Sequence, residues 1–413
     1  MSIDLRVKLT PKLELPNPLI IASGPSVKND ADILRGLESG AGGVVTKTIT
    51  YDPLQQVQPK PRMYVVDKKS AILRTKFYSF YSIDLMSVYP PEKWYTFIKR
   101  AKLEIARRGL EGVIIASIAG RTYEEWEKLT RLVTEAGADA IELNLSCPHI
   151  ESGSGKLMGR AVAQDTNIVA NIVKVVKENS NIPVIGKLTP HGANPVELAK
   201  VMASSGVDAV VSTARFQGLI IDINTLRPVE WGGLGGYGGP WQLPISLAWT
   251  YHVVRALPNV PVIGSGGISS GYDIVRFILV GAKATQSCTT IILHGYEIIR
   301  VMLNELTKWM LEHGYTRIEE FRGLTLKHVL SLEELNRVKK YVFSIDITKC
   351  TLCGICIKSC PYGAIVRVSD RIEINNTLCD NCGLCYSLCP YDAINREEIP
   401  RKNDKASTHW VEK

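Results

Sequence analysis

Cys350-Thr-Leu-Cys353-Gly-Ile-Cys356-Ile-Lys-Ser-Cys360-Pro361 and Cys379-Asp-Asn-Cys382-Gly-Leu-Cys385-Tyr-Ser-Leu-Cys389-Pro390 hold eight of the ten cysteines in the chain. Both stretches share one spacing, C-x2-C-x2-C-x3-C-P. Soft thiolates in such groups suit iron–sulfur clusters or zinc. Structural zinc draws on two separated ligand pairs, not on two runs of four with a trailing proline. A disulfide framework belongs to short secreted chains. This one has 413 residues, and Met1 to Lys12 is charged, without the apolar core of a signal peptide. The doubled run therefore reads as an iron–sulfur module.

That run resembles the one in bacterial two-cluster ferredoxins, where the fourth cysteine ligates the other cluster. The resemblance implies one [4Fe–4S] cluster on Cys350, Cys353, Cys356 and Cys389. It implies a second on Cys379, Cys382, Cys385 and Cys360. The module covers residues 342–396, and electrons pass through it singly.

Working toward the N-terminus, hydrophobic residues make up 45% of the chain, enough for a large core. No apolar run reaches membrane-spanning length. The net charge of +8 is spread along the sequence without a Lys/Arg tract interleaved with aromatics, which argues against nucleic-acid binding. Cluster thiolates imply a reducing, cytoplasmic setting.

From Asn17 to about Leu311 short apolar runs alternate with longer amphipathic stretches. The apolar runs are Leu19–Ala22, Gly43–Lys47, Val113–Ile118, Ala140–Ser146, Val184–Leu188, Ala209–Thr213, Val262–Gly266 and Thr285–Thr289. Helical stretches include Pro91–Arg108, Thr122–Ala136, Ile168–Asn179, Pro195–Ser204 and Tyr272–Val280. Several of the helical stretches close on a glycine, the usual stop signal. Eight such repeats predict an α/β fold, a (βα)8 TIM barrel, with the C-terminal ferredoxin-like α+β domain appended. The expected domains are the barrel over 1–312, a helical connector over 313–341, the cluster domain over 342–396 and a charged tail over 397–413.

A TIM barrel gathers its active site at the C-terminal ends of its strands. There lie Lys47, then Asn144-Leu-Ser-Cys147-Pro-His149, Lys187, Ser265-Gly266-Gly267 and Cys288-Thr289. A lone strand-end lysine is ordinarily a solvated charge, and a lone cysteine a small hydrophobe. Their joint placement on one rim points instead to a flavin-type site, with Gly266-Gly267 at the phosphate position common in barrels.

These residues resemble the FMN-binding barrel of the dihydroorotate and dihydropyrimidine dehydrogenase superfamily. His149, where dihydroorotate dehydrogenases carry asparagine, and the fused cluster module favour the dihydropyrimidine branch. The resemblance implies FMN beside Ala22, Ser23, Lys47, Asn144 and Lys187, with its phosphate at Gly239, Gly266, Gly267 and Thr289. It implies Cys147 as general acid/base for oxidation or reduction of a CH–CH bond next to a carbonyl, a task that suits a thiol near neutrality. The segment Glu151–Lys156, rich in glycine and serine, is expected to act as a lid.

The sequence departs from the family where a pyrimidine ring is read. Ser82 stands at one expected asparagine, and Ala214-Arg215 at a paired asparagine and hydroxyl. Of those polar groups Asn144 remains, so Ser82, Asn144 and Arg215 are the candidate substrate contacts. Dihydroorotate dehydrogenase is thus an alternative activity, as is a different carboxylate-bearing unsaturated substrate held by Arg215. Gly233-Leu-Gly-Gly-Tyr-Gly238 satisfies G-x-G-x-x-G but lacks the flanking βαβ context of a dinucleotide site. An NAD(P)H/FAD reductase subunit or a soluble ferredoxin is then the expected electron partner, in a homodimer or heterotetramer.

Overall fold

The computed structural model describes residues 3–145, 158, 162–191, 194–337 and 340–399. The chain divides into two compact units, Met1–Val329 and Leu330–Lys413.

Eight parallel strands close the first unit into a barrel. They are β1 (Leu19–Ile21), β2 (Gly43–Val45), β3 (Val113–Ile118), β4 (Ala140–Asn144), β5 (Val184–Lys187), β6 (Ala209–Val211), β7 (Val262–Ser265) and β8 (Ala284–Ser287). Neighbours in sequence are neighbours in the sheet, and β8 pairs with β1 to close the ring. All six residues of β3 are buried, as expected of a strand covered on both faces.

Helices α1 (Asp30–Glu38), α2 (Pro91–Arg108), α3 (Tyr123–Glu135), α4 (Thr166–Glu178), α5 (Pro195–Ser204), α6 (Leu243–Ala256), α7 (Gly271–Leu279) and α8 (Ile298–Glu312) follow the strands in turn. Their ends follow from the sequence. Helix α2 begins on Pro91, stops at left-handed Gly109, and buries Trp94, Phe97, Ile98, Ala101 and Ile105 along one face. Thr122 caps α3 by accepting from the Glu125 amide. A hairpin of Val7–Thr10 and Leu13–Leu15 precedes β1, with Leu9, Leu13 and Leu15 inside the main core.

Two βα connections are long. The one after β2 supplies strands Met63–Val66 and Ser79–Ser82, and the one after β6 supplies Phe216–Gly218 and Gly235–Gly238. Together these form a four-stranded antiparallel sheet. Because both connections leave strand C-termini, the sheet belongs to the active-site end of the barrel.

The expected helical connector is corrected. Among the described residues after α8, the chain forms only two single-turn 3₁₀ helices, Ile318–Glu320 and Leu326–His328, before the next strand. Ile318 and Phe321 are buried in the barrel core, so this stretch up to Val329 caps the first unit. Phe321 also packs against Trp309 and Tyr315.

In the second unit, Tyr341–Ile345 pairs with Ile394–Glu398, and Ile365–Val368 pairs with Arg371–Ile374, both antiparallel. Two short helices, Ile355–Ser359 and Leu384–Leu388, follow the second cysteine of each run and end just before the fourth. A small core of Phe343, Ile365, Ile372, Cys385 and Ile394 holds the unit together. Leu352 and Asn381, two residues past the first cysteine of each run, share a left-handed conformation (φ 58° and 63°). The two runs thus fold alike.

Candidate active site and cluster sites

The barrel floor carries a buried ionic group. Glu142 on β4 is fully buried, and Lys187 ends the neighbouring β5. The Lys187 ammonium donates to Glu142 Oε1 at 3.3 Å and to Gln286 Oε1 on β8 at 2.9 Å. The Gln286 amide donates in turn to Glu142 Oε2 at 2.5 Å. Every charge here has a partner, which a buried site requires.

Above the floor runs a chain of hydroxyls. Asn144 Nδ2 donates to Thr48 Oγ1 at 2.9 Å, and that hydroxyl also meets Ser117 Oγ at 3.0 Å and Ser23 Oγ at 3.3 Å. Strand register sets Asn144 directly beside Lys187. These residues come from the ends of β1 to β5 and line one cleft.

A second ionic group closes one side. Lys47, at the end of β2, bonds Asp84 from the following connection, and Arg62 Nε lies 3.5 Å from the other Asp84 oxygen. Burial would raise the Asp84 carboxyl. The Lys47 ammonium, helped by Arg215 and Arg62, overcomes that and holds it below the ordinary carboxylate range. Arg215 lines the same cleft and donates to Ser82 Oγ behind it.

The opposite end is built from backbone. Gly266 and Gly267 follow β7 with φ of 94° and 86°. A Cβ on Gly267 would lie 2.4 Å from the Leu243 amide nitrogen, so this turn admits only glycine. Gly239, Thr289 and Thr290 complete that end. Burial pushes the Cys288 thiol above its ordinary range, and its sulfur contacts the Ser23 carbonyl oxygen at 3.9 Å. It acts here as a packing group.

The cleft so formed encloses about 1020 Å³, its open mouth included. A long cavity with a side-chain-free turn at one end, lysines along its wall and a polar floor fits a flavin mononucleotide. Lys47, Asn144 and Lys187 would hold the ring, and Gly239, Gly266, Gly267 and Thr289 the phosphate.

The second unit holds two hollows rimmed by thiols. Cys360, Cys379, Cys382 and Cys385 line one, with Phe343 and Ile365. Cys350, Cys353, Cys356 and Cys389 line the other, with Ile345 and Ile394. Each hollow takes three cysteines from one run and the fourth from the other. The Ala393 amide donates to Cys389 Sγ at 3.3 Å, a bond of the type that tunes cluster sulfurs.

Ala22, Ser23, Lys47, Asn144, Lys187, Arg215, Gly239, Gly266, Gly267 and Thr289 all line the barrel cleft. Ser82 does not. It is fully buried and reaches the cleft only through Arg215, so it is corrected from substrate contact to support. Cys147, His149 and the segment 151–156 lie outside the described residues. Asp84, Glu142 and Gln286 are wall residues that the reading of strand ends passed over. Glu142 and Gln286 had a signal: a charged or amide side chain inside an otherwise apolar parallel strand.

Among the described residues no helix is long and apolar enough to cross a membrane. Residues 5–310 match the model of the dihydroorotate dehydrogenase family, and residues 349–394 match a 4Fe-4S dicluster domain. The NAD-dependent dihydropyrimidine dehydrogenase subunit PreA of Escherichia coli K12 is 31% identical over 356 residues, covering 84% of this chain and 83% of that protein. The chloroplastic dihydropyrimidine dehydrogenase (NADP(+)) of Arabidopsis thaliana is 31% identical, covering 79% and 78%. The catalytic subunit of dihydroorotate dehydrogenase B (NAD(+)) from Thermococcus kodakarensis is 35% identical, covering 76% of this chain and 96% of its own. FMN and two [4Fe–4S] clusters are the cofactors of this architecture. The chain therefore belongs to the dihydroorotate dehydrogenase family, as an oxidoreductase acting on CH–CH groups that carries a 4Fe-4S dicluster domain at its C-terminal end.

Proposed function

We propose that the protein is a dihydropyrimidine dehydrogenase-type enzyme that oxidises or reduces a CH–CH bond beside a carbonyl and exchanges electrons with a partner through its clusters. One observation carries this reading: a cleft walled by Lys47, Asn144 and Lys187 and closed by Gly266-Gly267 occurs in one chain with two four-thiol hollows. FMN, when bound, supplies the hydride exchange with a substrate carbon and single-electron exchange with the clusters.

The chain's own groups do the rest. Cys147 gives or takes the proton on the second carbon, a role within reach of a thiol near neutral pH. Asn144, fixed by Thr48, orients both ring systems. Lys187 holds negative charge that develops in the cleft, while Glu142 offsets the lysine's own charge at rest. The two clusters take the ligand sets that line the two hollows. A reductase subunit that binds NAD(P)H, or a soluble ferredoxin, serves as partner in a reducing cytoplasm, and the assembly is a heterotetramer or homodimer.

Two features favour the dihydropyrimidine branch. One is the run Asn144–His149. The other is that the alignment with the bacterial PreA subunit extends over 356 residues, against 315 for the Thermococcus catalytic subunit. The test is Cys147→Ala. Turnover with an unsaturated carbonyl substrate should fall by roughly 100-fold or more while flavin and iron contents stay unchanged. Full activity in that variant would remove the acid/base assignment.

A further inference from the structure

The connection after β2 does more than supply two strands of the antiparallel sheet. Past the helix Lys68–Ile72 the chain turns at left-handed Arg74 (φ 55°) and returns through Lys76 and Tyr78 to the strand Ser79–Ser82. On that path it meets both halves of the cradle assigned to the flavin phosphate. On one side it lies against Gly239, which comes from the connection after β6. A Cβ there would lie 2.7 Å from the Tyr78 carbonyl oxygen and 3.1 Å from Ser79 Cα. On the other side it reaches the residues that follow Gly266-Gly267 at the end of β7. The Lys76 ammonium donates to Ser269 Oγ at 2.8 Å and to Asp273 Oδ2 at 2.7 Å. The Arg74 guanidinium donates to the Ser269 carbonyl oxygen at 3.4 Å.

Asp273 anchors the second contact. It has no exposed surface, and its Oδ2 also accepts from the amides and hydroxyls of Ser269 and Ser270 at 2.9–3.1 Å. Burial would raise the carboxyl, and Lys76 with the serine donors holds it below the ordinary range. Arg276 pairs with the other oxygen from within α7, whereas Lys76 reaches it across 197 positions of the chain. An ion pair between two exposed side chains contributes little. This one ends on a fully buried carboxylate, where loss of a partner is costly. Lys76 is not among the residues that line the cleft, so its effect on a ligand there passes through Ser269 and the glycine turn.

We propose that Lys76 is a positioning residue for the flavin phosphate: it staples the segment 74–79 to Ser269 and Asp273 and so fixes the Gly239 and Gly266-Gly267 turns relative to each other. The staple rests on the reading that places the phosphate at those turns. It adds a side chain outside the cleft that sets how firmly the cofactor is held. With the two turns fixed in advance, less order has to be imposed when the phosphate binds.

The experiment uses the full-length protein with its clusters, freed of flavin and titrated anaerobically with FMN and with riboflavin, each followed by flavin fluorescence. Riboflavin lacks the phosphate, so the ratio of the two affinities isolates that end of the site. Wild type should bind FMN at least about 100-fold more tightly than riboflavin. Lys76→Met should lower that ratio about tenfold by weakening FMN, with riboflavin affinity unchanged. Lys76→Arg should restore most of the loss. Ser269→Ala should lower the ratio by a smaller factor, and the double variant should lose less than the product of the two factors. Equal weakening of FMN and riboflavin in Lys76→Met, or full additivity of the two substitutions, overturns the staple. An unchanged ratio in Lys76→Met beside the expected wild-type preference also overturns it and leaves the phosphate assignment standing. Wild type that binds FMN no better than riboflavin removes that assignment, and the staple with it.

Discussion

The Lys187 ammonium lies 3.3 Å from Oε1 of Glu142, a carboxylate without exposed surface one strand away in the barrel floor. The positive charge proposed to face the flavin ring is thereby matched by a fixed negative one beneath it. Removing either charge leaves the other buried and alone.

For Glu142→Gln, the shape is preserved and the counter-charge is lost. The variant should be less stable by about 3 kcal/mol in denaturant unfolding. The uncompensated Lys187 should also favour the reduced, more negative flavin, so the flavin midpoint potential should rise. A potential that stays the same or falls would show that Lys187 does not act on the ring.

For Asp84→Asn, the expected effect depends on pH. The folded Asp84 carboxyl is held below its ordinary range by Lys47, Arg215 and Arg62 against the effect of burial. Its stabilising contribution is therefore present above the unfolded value of about 4 and is lost as pH falls through the lower folded value. Wild type should exceed the variant by about 3 kcal/mol at pH 7. That gap should close as unfolding is followed by circular dichroism toward and below pH 4. A gap constant over this range would remove the ion pair as its cause.

Gly267→Ala should separate the two cofactor systems. The added methyl meets the Leu243 backbone nitrogen at 2.4 Å, at a φ of 86° that alanine avoids. The strain, about 1–3 kcal/mol, falls on the turn assigned to the flavin phosphate. Flavin retention after gel filtration should drop at least roughly tenfold, while iron per chain remains constant. Equal loss of both would indicate general unfolding.

The crossed cysteine sets predict a pattern of non-additive losses. Cys353 and Cys389 line one hollow although they belong to different runs. Cys353→Ser and Cys389→Ser should each remove about half of the iron, and the double variant should remove no more than either single one. Cys382→Ser combined with Cys389→Ser should remove nearly all of it. The reverse pattern would assign each cluster to one run.

Much of the fold was legible in the chain because parallel strands of a closed barrel are buried on both faces. Val113–Ile118 and Val262–Ser265 carry no polar residue but serine, so their apolar runs stand out. Prolines and capping residues marked helices as plainly, as at Pro91 and Pro195. The segment after Glu312 was not legible. Its turns are held by local bonds such as those of Thr316 and Arg317 to Glu320, and its two buried residues, Ile318 and Phe321, span a single turn, too short for a helical pattern to stand out. The site was legible at the strand ends and obscure in the long connections. Nothing in local sequence shows that Asp84 meets Lys47 across 37 positions, or that Gly236 makes room for Arg215. Those contacts depend on a sheet assembled from two distant insertions.

The central claim is that chemistry in the barrel cleft and electrons on the thiol-bound clusters form one circuit. Its most direct test is the anaerobic reoxidation of holoprotein reduced by dithionite to four electrons, two on the flavin and one on each cluster, with excess reductant removed and at least two equivalents of a two-electron substrate supplied. An unsaturated carbonyl substrate is added, and flavin absorbance and cluster paramagnetic signals are followed together. The account predicts that flavin and both clusters reoxidise in wild type and that all three stay reduced in Cys147→Ala. Reoxidation of the flavin with clusters that remain reduced, or the same behaviour in both proteins, would contradict it.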